Sequence, residues 1–261
     1  MIIDQIIATV RQELARRKKQ TPLLELERLV DNFGPPQDFG AAVRGEGIKF
    51  IAEIKRASPS KGWLCPDLDV ATLAGSYARG GAAAISVLTE PNWFKGDLTD
   101  LAAARQAVPL PLLRKDFILD SYQVYEARAF GADAVLLITA LLSLSELSAL
   151  IEIARGLGMA ALVEVHSEPE VKRALDAKAN PIGINNRNLA DFGVDLGTTL
   201  ELRPLIPPEV TVVSESGIKS YADVSALQAA GINAVLVGET LVSSPDPEAK
   251  LRELRGESGK G

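Results

Sequence analysis

Two lysines and three glutamates stand at or just beyond the ends of short apolar runs. Glu53 and Lys55 close the run that starts at Phe50, Lys115 follows Leu112 and Leu113, Glu164 follows Ala161–Val163, and Glu215 closes 212–215. Asn185 and Arg187 end the run that begins at Ile182 in the same way. Ions buried in such numbers are costly unless they pair or meet a charged ligand. A buried lysine is expected to be pushed down and a buried glutamate pushed up until they exchange protons near neutral pH, so that the pair can protonate a carbonyl oxygen and remove a proton elsewhere. The plainer reading of the same residues is a structural ion network.

Side chains alternate faces along a strand. Glu53 then shares a face with Lys55, Asn185 with Arg187, Lys115 with Leu113, Glu164 with Leu162 and Glu215 with Val213. Arg114 and Asp116 fall on the opposite face and are expected to pair with neighbouring elements. Eight strands are predicted, near 48–54, 83–88, 111–115, 134–138, 160–164, 181–185, 210–214 and 234–237. Helical patterns lie between them at Val70–Arg79, Ser121–Phe130, Leu144–Arg155, Glu168–Ala177 and Tyr221–Ala230. Four segments, starting at Gly80, Gly131, Gly158 and Gly231, share a loose repeat in which glycine leads into a short apolar strand. This alternation predicts a parallel α/β fold, and eight units favour a closed (β/α)8 TIM barrel whose strand ends carry the site. A doubly wound open sheet would also suit the alternation, but no Gly-x-Gly-x-x-Gly follows the first strand.

One domain over residues 1–261 is expected, with 1–47 an N-terminal helical extension. Ile3, Ile6, Ile7, Val10 and Leu14 form a helical stripe. A second helix is predicted from Thr21 as N-cap with Pro22 in its first turn. The extension either packs on the barrel's rim or floor or forms a partial lid. The connection Arg56–Asp69 is long for a strand-to-helix link and is expected to act over the site. Residues 256–261 read as a frayed tail.

Of 261 residues, 47% are hydrophobic and 24% charged, and the formal net charge is −6 with no large basic block. Nucleic acid is therefore not the expected partner. Cys65 is the only cysteine and His166 the only histidine, so neither an intrachain disulfide nor a metal site built on two histidines is expected. Neither a signal peptide nor a run of about 18 apolar residues is recognisable, so no membrane span is expected. His166 reads as a turn or supporting residue. Gly217 and Gly238 follow the seventh and eighth strands, where this fold often binds phosphate; they and Ser216 predict an anion site, against the reading that the glycines merely turn the chain.

At these residues the chain resembles indole-3-glycerol phosphate synthase of tryptophan biosynthesis. The resemblance is carried by Ile51-Ala-Glu-Ile-Lys-Arg-Ala-Ser-Pro-Ser-Lys-Gly62, Ser86-Val-Leu-Thr-Glu90, Leu112-Leu-Arg-Lys-Asp-Phe117, Ala161-Leu-Val-Glu-Val-His166, Gly183-Ile-Asn-Asn-Arg-Asn-Leu189 and Ser214-Glu-Ser-Gly217. It extends over nearly the whole chain; Trp63-Leu-Cys-Pro66 looks less typical. The resemblance implies a ring closure without metal or cofactor, on a phosphorylated small molecule. It implies Lys115 as general acid, Glu164 as acid–base partner and Lys55 as carboxylate ligand or acid–base assistant. Glu53, Asn185 and Glu215 would orient substrate and lysines, with Arg187 in support. Ser58, Ser216, Gly217, Gly238 and Glu239 would hold the phosphate, and Phe94, Leu136 and Leu189 would clamp the aromatic ring. A cytoplasmic enzyme, monomeric or weakly homo-oligomeric, is expected. The alternatives are another sugar-phosphate barrel such as phosphoribosylanthranilate isomerase, which typically needs a Cys and Asp pair, and a phosphate-binding barrel without turnover.

Overall fold

Eight parallel strands close on themselves in a computed structural model that describes residues 2–30, 32–188 and 192–257. They are β1 (Lys49–Ile54), β2 (Ala84–Leu88), β3 (Leu112–Lys115), β4 (Ala134–Ile138), β5 (Ala160–Val165), β6 (Ile182–Asn185), β7 (Val212–Glu215) and β8 (Ala234–Val237). Each strand pairs with its sequence neighbours. β1 completes the ring by pairing with β2 (Ile51 opposite Ala84) and with β8 (Lys49 opposite Ala234). The predicted strands and their order are those observed.

Period-two alternation on a closed sheet makes two cores. Ile51, Leu113, Leu136, Leu162, Val213 and Leu236 fill the barrel interior, while Phe50, Leu112, Val163, Val212 and Val235 face outward under the helices. Inward positions near the C-terminal strand ends are the polar ones, so the ions of the sequence pattern converge on one end of the barrel. Arg114, on the outer face, is fully buried. It pairs with Asp116 and Glu126, each at 2.9 Å, and donates to the Gln123 carbonyl, which bears out its expected structural pairing.

Helix starts are fixed locally. Asp69, Asp97, Asp120, Ser143 and Ser220 cap the helices that follow them by accepting from first-turn amides, each contributing about 1 kcal/mol. Gly131, Gly158 and Gly231 sit at φ of +91°, +74° and +80° after helices. Only glycine adopts that conformation cheaply, which accounts for the glycine before β4, β5 and β8. Before β2 the left-handed residue is Gly81 (φ +88°) and not Gly80, where the repeat was read to start.

The N-terminal helix α1 (Ile2–Gln20) buries Ile6, Val10 and Leu14. Ile3 and Ile6 reach the cavity at the barrel mouth, so this helix forms part of its wall, in line with the partial-lid reading. Arg17 pairs with Glu126 and Lys18 with Asp120, tying the far end to the barrel. The second helix, α2 (Leu23–Leu29), departs from expectation: its N-cap is Pro22, with no side-chain cap. Thr21 instead ends the preceding turn through its amide and accepts from the Tyr122 hydroxyl through its carbonyl.

Candidate active site

A cavity of about 450 Å³ opens at the C-terminal strand ends. Fourteen of the fifteen expected site residues line it: Glu53, Lys55, Ser58, Phe94, Lys115, Leu136, Glu164, Asn185, Arg187, Glu215, Ser216, Gly217, Gly238 and Glu239. The fifteenth, Leu189, lies outside the described residues.

Lys115 is central. Its Nζ lies 3.1 Å from Glu164 Oε2 and 3.3 Å from Glu215 Oε2. Burial alone would push its pKa down, but Glu164, Glu215 and Glu53 outweigh burial and hold it above the ordinary lysine value. The expectation of a lysine lowered toward neutrality is therefore corrected: three carboxylates keep Lys115 charged. Glu164 is likewise buried, yet Lys115 and His166 hold its carboxyl well below the usual range. Glu215 goes the other way. Burial pushes it up to about 8, and the repulsion of Glu164 and Glu53 adds to that against the pull of Lys115. One lysine thus faces one firmly ionised carboxylate and one that holds a proton near neutrality. Lys55 Nζ pairs with Glu53 Oε1 at 2.8 Å on the neighbouring wall.

Two glycines make room for these carboxylates. A Cβ on Gly183 would collide with Glu215 Oε1, and one on Gly238 with Glu53 Oε1. Gly238 has a φ of −118°, so its turn does not demand glycine; the neighbouring carboxylate does. Gly217 differs, at φ +85°, beside Ser216 at φ +68°. These two left-handed residues turn the chain sharply after β7. Asn186 braces the turn by donating to the carbonyls of Glu215 and Ser216 and to Ser214 Oγ.

The long connection after β1 folds over the mouth through a small hairpin, Ala57–Ser58 against Gly62–Trp63. Its Lys61 pairs with Glu239, whose other oxygen lies 3.6 Å from Arg187 Nη2. Burial raises the Glu239 carboxyl, but Lys61, Lys55 and Arg187 outweigh it and hold it below the usual range. The opposite wall is apolar. Phe94 and Phe117 sit with ring centroids 6.0 Å apart, beside Ile3, Ile6, Leu136 and Ile138.

Sequence reasoning missed Phe117, Lys61 and Asn186 as site-building residues, and its reading of His166 as a turn or supporting residue fits the position found. Phe117 was within reach, because it lies two residues beyond Lys115 on the same alternation. Lys61 carried no such signal, since a lysine in a polar loop looks like any solvated charge. His166 follows β5 directly and lies beside Glu164.

A closed (β/α)8 barrel with a paired lysine and carboxylate, an apolar wall and a cationic rim at its C-terminal face is a barrel enzyme of the kind that handles small anionic substrates. The family model described as indole-3-glycerol phosphate synthase matches residues 3–254. The protein of that name from Dehalococcoides mccartyi is 52% identical over 258 residues, covering 97% of this chain and all of its own length. That from Kineococcus radiotolerans is 50% identical over 258 residues, covering 97% of this chain and 94% of its own. Among solved structures, a 3-hexulose-6-phosphate synthase shares the fold at a TM-score of 0.63 with 20% identity, over 80% of this chain and 99% of that one. The chain belongs to the indole-3-glycerol phosphate synthase family.

Proposed function

We infer that the cavity carries out the family's reaction, the ring closure of 1-(o-carboxyphenylamino)-1-deoxyribulose 5-phosphate to indole-3-glycerol phosphate with loss of carbon dioxide and water. The observation that carries the mechanism is the placement of Lys115 Nζ 3.1 Å from Glu164 and 3.3 Å from Glu215, facing an apolar wall. The substrate's aryl ring fits against Phe94, Phe117 and Leu136, which leaves its ketone over Lys115. Lys115 gives its proton to the ketone oxygen as the ring carbon bearing the carboxylate attacks. Carbon dioxide then leaves that carbon, and Lys55, paired with Glu53, steadies the carboxylate until it does. The hydroxyl so formed on the former ketone carbon leaves as water on taking a proton from Lys115, recharged from solvent. Glu164, held ionised, takes the proton from the neighbouring carbon whose removal completes dehydration, while Asn185 and Glu215 orient the chain hydroxyls.

The phosphate is assigned to Ser58, Ser216, Gly217 and Gly238, with Arg187 and Lys61 supplying charge. Glu239 is assigned a different task. Its carboxylate would repel a phosphate, so its side chain serves to hold Lys61 and Arg187 at the rim. Cys65 is half-buried and does not line the cavity, so nothing supports an isomerase built on a cysteine and an aspartate.

Among the described residues no helix is long and apolar enough to cross a membrane. A net charge of −6 supports an enzyme that acts without nucleic acid, and a single cysteine fits a reducing compartment such as the cytoplasm; a monomer or weak homo-oligomer is the state proposed for it. The contacts of α1 with the cavity support a single domain over 1–261, with 1–47 as its helical extension. The test is the appearance of indole fluorescence when purified protein meets the carboxyphenylamino substrate. Lys115→Ala is expected to stay folded and lose about 10²–10⁴-fold in kcat; a folded variant with near-parental turnover removes Lys115 from the mechanism.

A further inference from the structure

Glu164 stands in a wall between two spaces. Its Oε2 faces Lys115 in the substrate cavity, and its Oε1 lies 3.3 Å from His166 Nε2 on the other side. The second nitrogen of that imidazole, Nδ1, lies 3.3 Å from Glu170 Oε2. The same Glu170 oxygen also accepts from the His166 backbone amide at 2.8 Å. Glu170 is set in the first turn of the helix Glu168–Asp176, directly after β5. One short segment therefore builds a carboxylate–imidazole–carboxylate line that runs outward from the reacting centre.

We propose that His166 is a positioning residue for the reaction: as an imidazolium clamped between Glu164 and Glu170, it fixes the Glu164 carboxylate in its ionised form with Oε2 turned to Lys115.

The geometry selects the charged ring. Each ring nitrogen faces a carboxylate oxygen, and a neutral imidazole carries a proton on only one of them. Its bare nitrogen would then oppose an anion. An imidazolium carries a proton on each nitrogen: Nδ1 is hydrogen-bonded to Glu170, and Nε2, buried without an aligned hydrogen bond, faces Glu164 Oε1 as a positive charge at 3.3 Å. Burial pushes the imidazole down, but Glu164 and Glu170 outweigh it and raise its pKa to about 10. Glu170 is also half-buried, and the His166 contacts hold its carboxyl below the usual range. The other charged groups near the ring come from different elements. Asp4 of α1 and Asp195 of the loop after β6 line the more open space that His166 shares with Glu170, and both favour a cation there. Lys115, on the far side of Glu164, opposes it.

This inference rests on the acid–base role given to Glu164, and its test separates the two. His166 is the only histidine, so its ring resonances in a carbon–proton NMR titration of the free protein need no assignment. The expected midpoint lies well above the ordinary value near 6.5, and it should fall in Glu170→Gln and in Glu164→Gln. This reading is independent of turnover. His166→Gln keeps a donor but removes the charge. An opposite charge at this range typically moves a carboxyl by about 1–3 pH units. The acidic limb of kcat/KM against pH should therefore move up by about one unit or more in His166→Gln, with kcat reduced on the acid side and KM nearly unchanged. Glu170→Gln should move it less, and His166→Lys should partly restore it. A parental midpoint near 6.5 would overturn the proposal. So would a His166→Gln enzyme that loses activity equally at every pH, which is the pattern of a merely structural residue. If His166→Gln does not fold, the parental and Glu170→Gln titrations still decide. A fully active Glu164→Gln would instead remove the role of Glu164 itself, whatever the imidazole does.

Discussion

Gly183→Ala isolates the space that β6 leaves for Glu215. Gly183 points into the barrel, opposite Glu164 of β5 and Val213 of β7. Its φ is not in the left-handed region, so alanine meets no backbone strain. The whole effect must come from the added methyl, which would overlap Glu215 Oε1 and also press on Leu162 at 3.3 Å. To restore a normal separation of ~3.5 Å, the carboxylate must retreat by about 1 Å. Overpacking of this kind costs about 1–3 kcal/mol, which for a chain of this size lowers Tm by roughly 2–12 °C. The retreat also carries Glu215 away from Lys115, now 3.3 Å distant. Misplacement on that scale at a reacting centre costs up to about 10²-fold in rate. Thermal unfolding followed by circular dichroism and steady-state indole fluorescence read the two effects separately. Glu215→Asp, one methylene shorter, should recover most of the lost Tm when combined with Gly183→Ala. A Gly183→Ala protein with parental Tm and kcat would show that the carboxylate does not approach β6 as described.

Glu164→Gln keeps shape and much of the hydrogen bonding, so kcat should fall steeply while KM changes little; weakened binding with intact turnover would make Glu164 a binding residue. Because burial raises the folded pKa of Glu215 above its ordinary 4.5 to about 8, the stability it contributes is full below pH ~4.5 and declines as pH rises to about 8. Glu215→Gln should therefore gain Tm over the parent across that window and level off above it, and a pH-independent difference would contradict the raised pKa. Gly217→Val places a side chain at φ +85° against Val194, whose nearest carbon a Cβ would meet at 2.7 Å. It should weaken substrate and inorganic phosphate together, and calorimetry showing unchanged phosphate affinity would move the phosphate site elsewhere.

What the sequence alone determined is what depends on near neighbours along the chain. The two-residue period put Glu53, Lys115, Glu164 and Glu215 on one face with Ile51, Leu113, Leu162 and Val213, because alternation needs no knowledge of the partner strand. Helix limits such as Val70–Arg79 were legible for the same reason: Asp69 caps and Gly81 (φ +88°) terminates within one turn of the ends. Thr21 shows where local signals mislead, since the turn that closes α1 took the residue that looked like a cap. What only the tertiary structure decided is what depends on distance through space. Lys115 and Glu164 are 49 residues apart in sequence, and Glu215 is farther still. The barrel's closure puts three carboxylates near one lysine, and for that reason Lys115 is raised where burial by itself would lower it. Gly183 drew no reading of its own, and Gly238 was read as part of an anion site or a turn, until the carboxylates they accommodate were in place. His166 read as a turn or supporting residue, and only the first turn of the next helix decides that Glu170 stands at its far nitrogen. Charge interactions fall off with distance and are scaled by burial. A linear sequence records which ions are present, and only the closed fold fixes how far apart they stand and how much water lies between them.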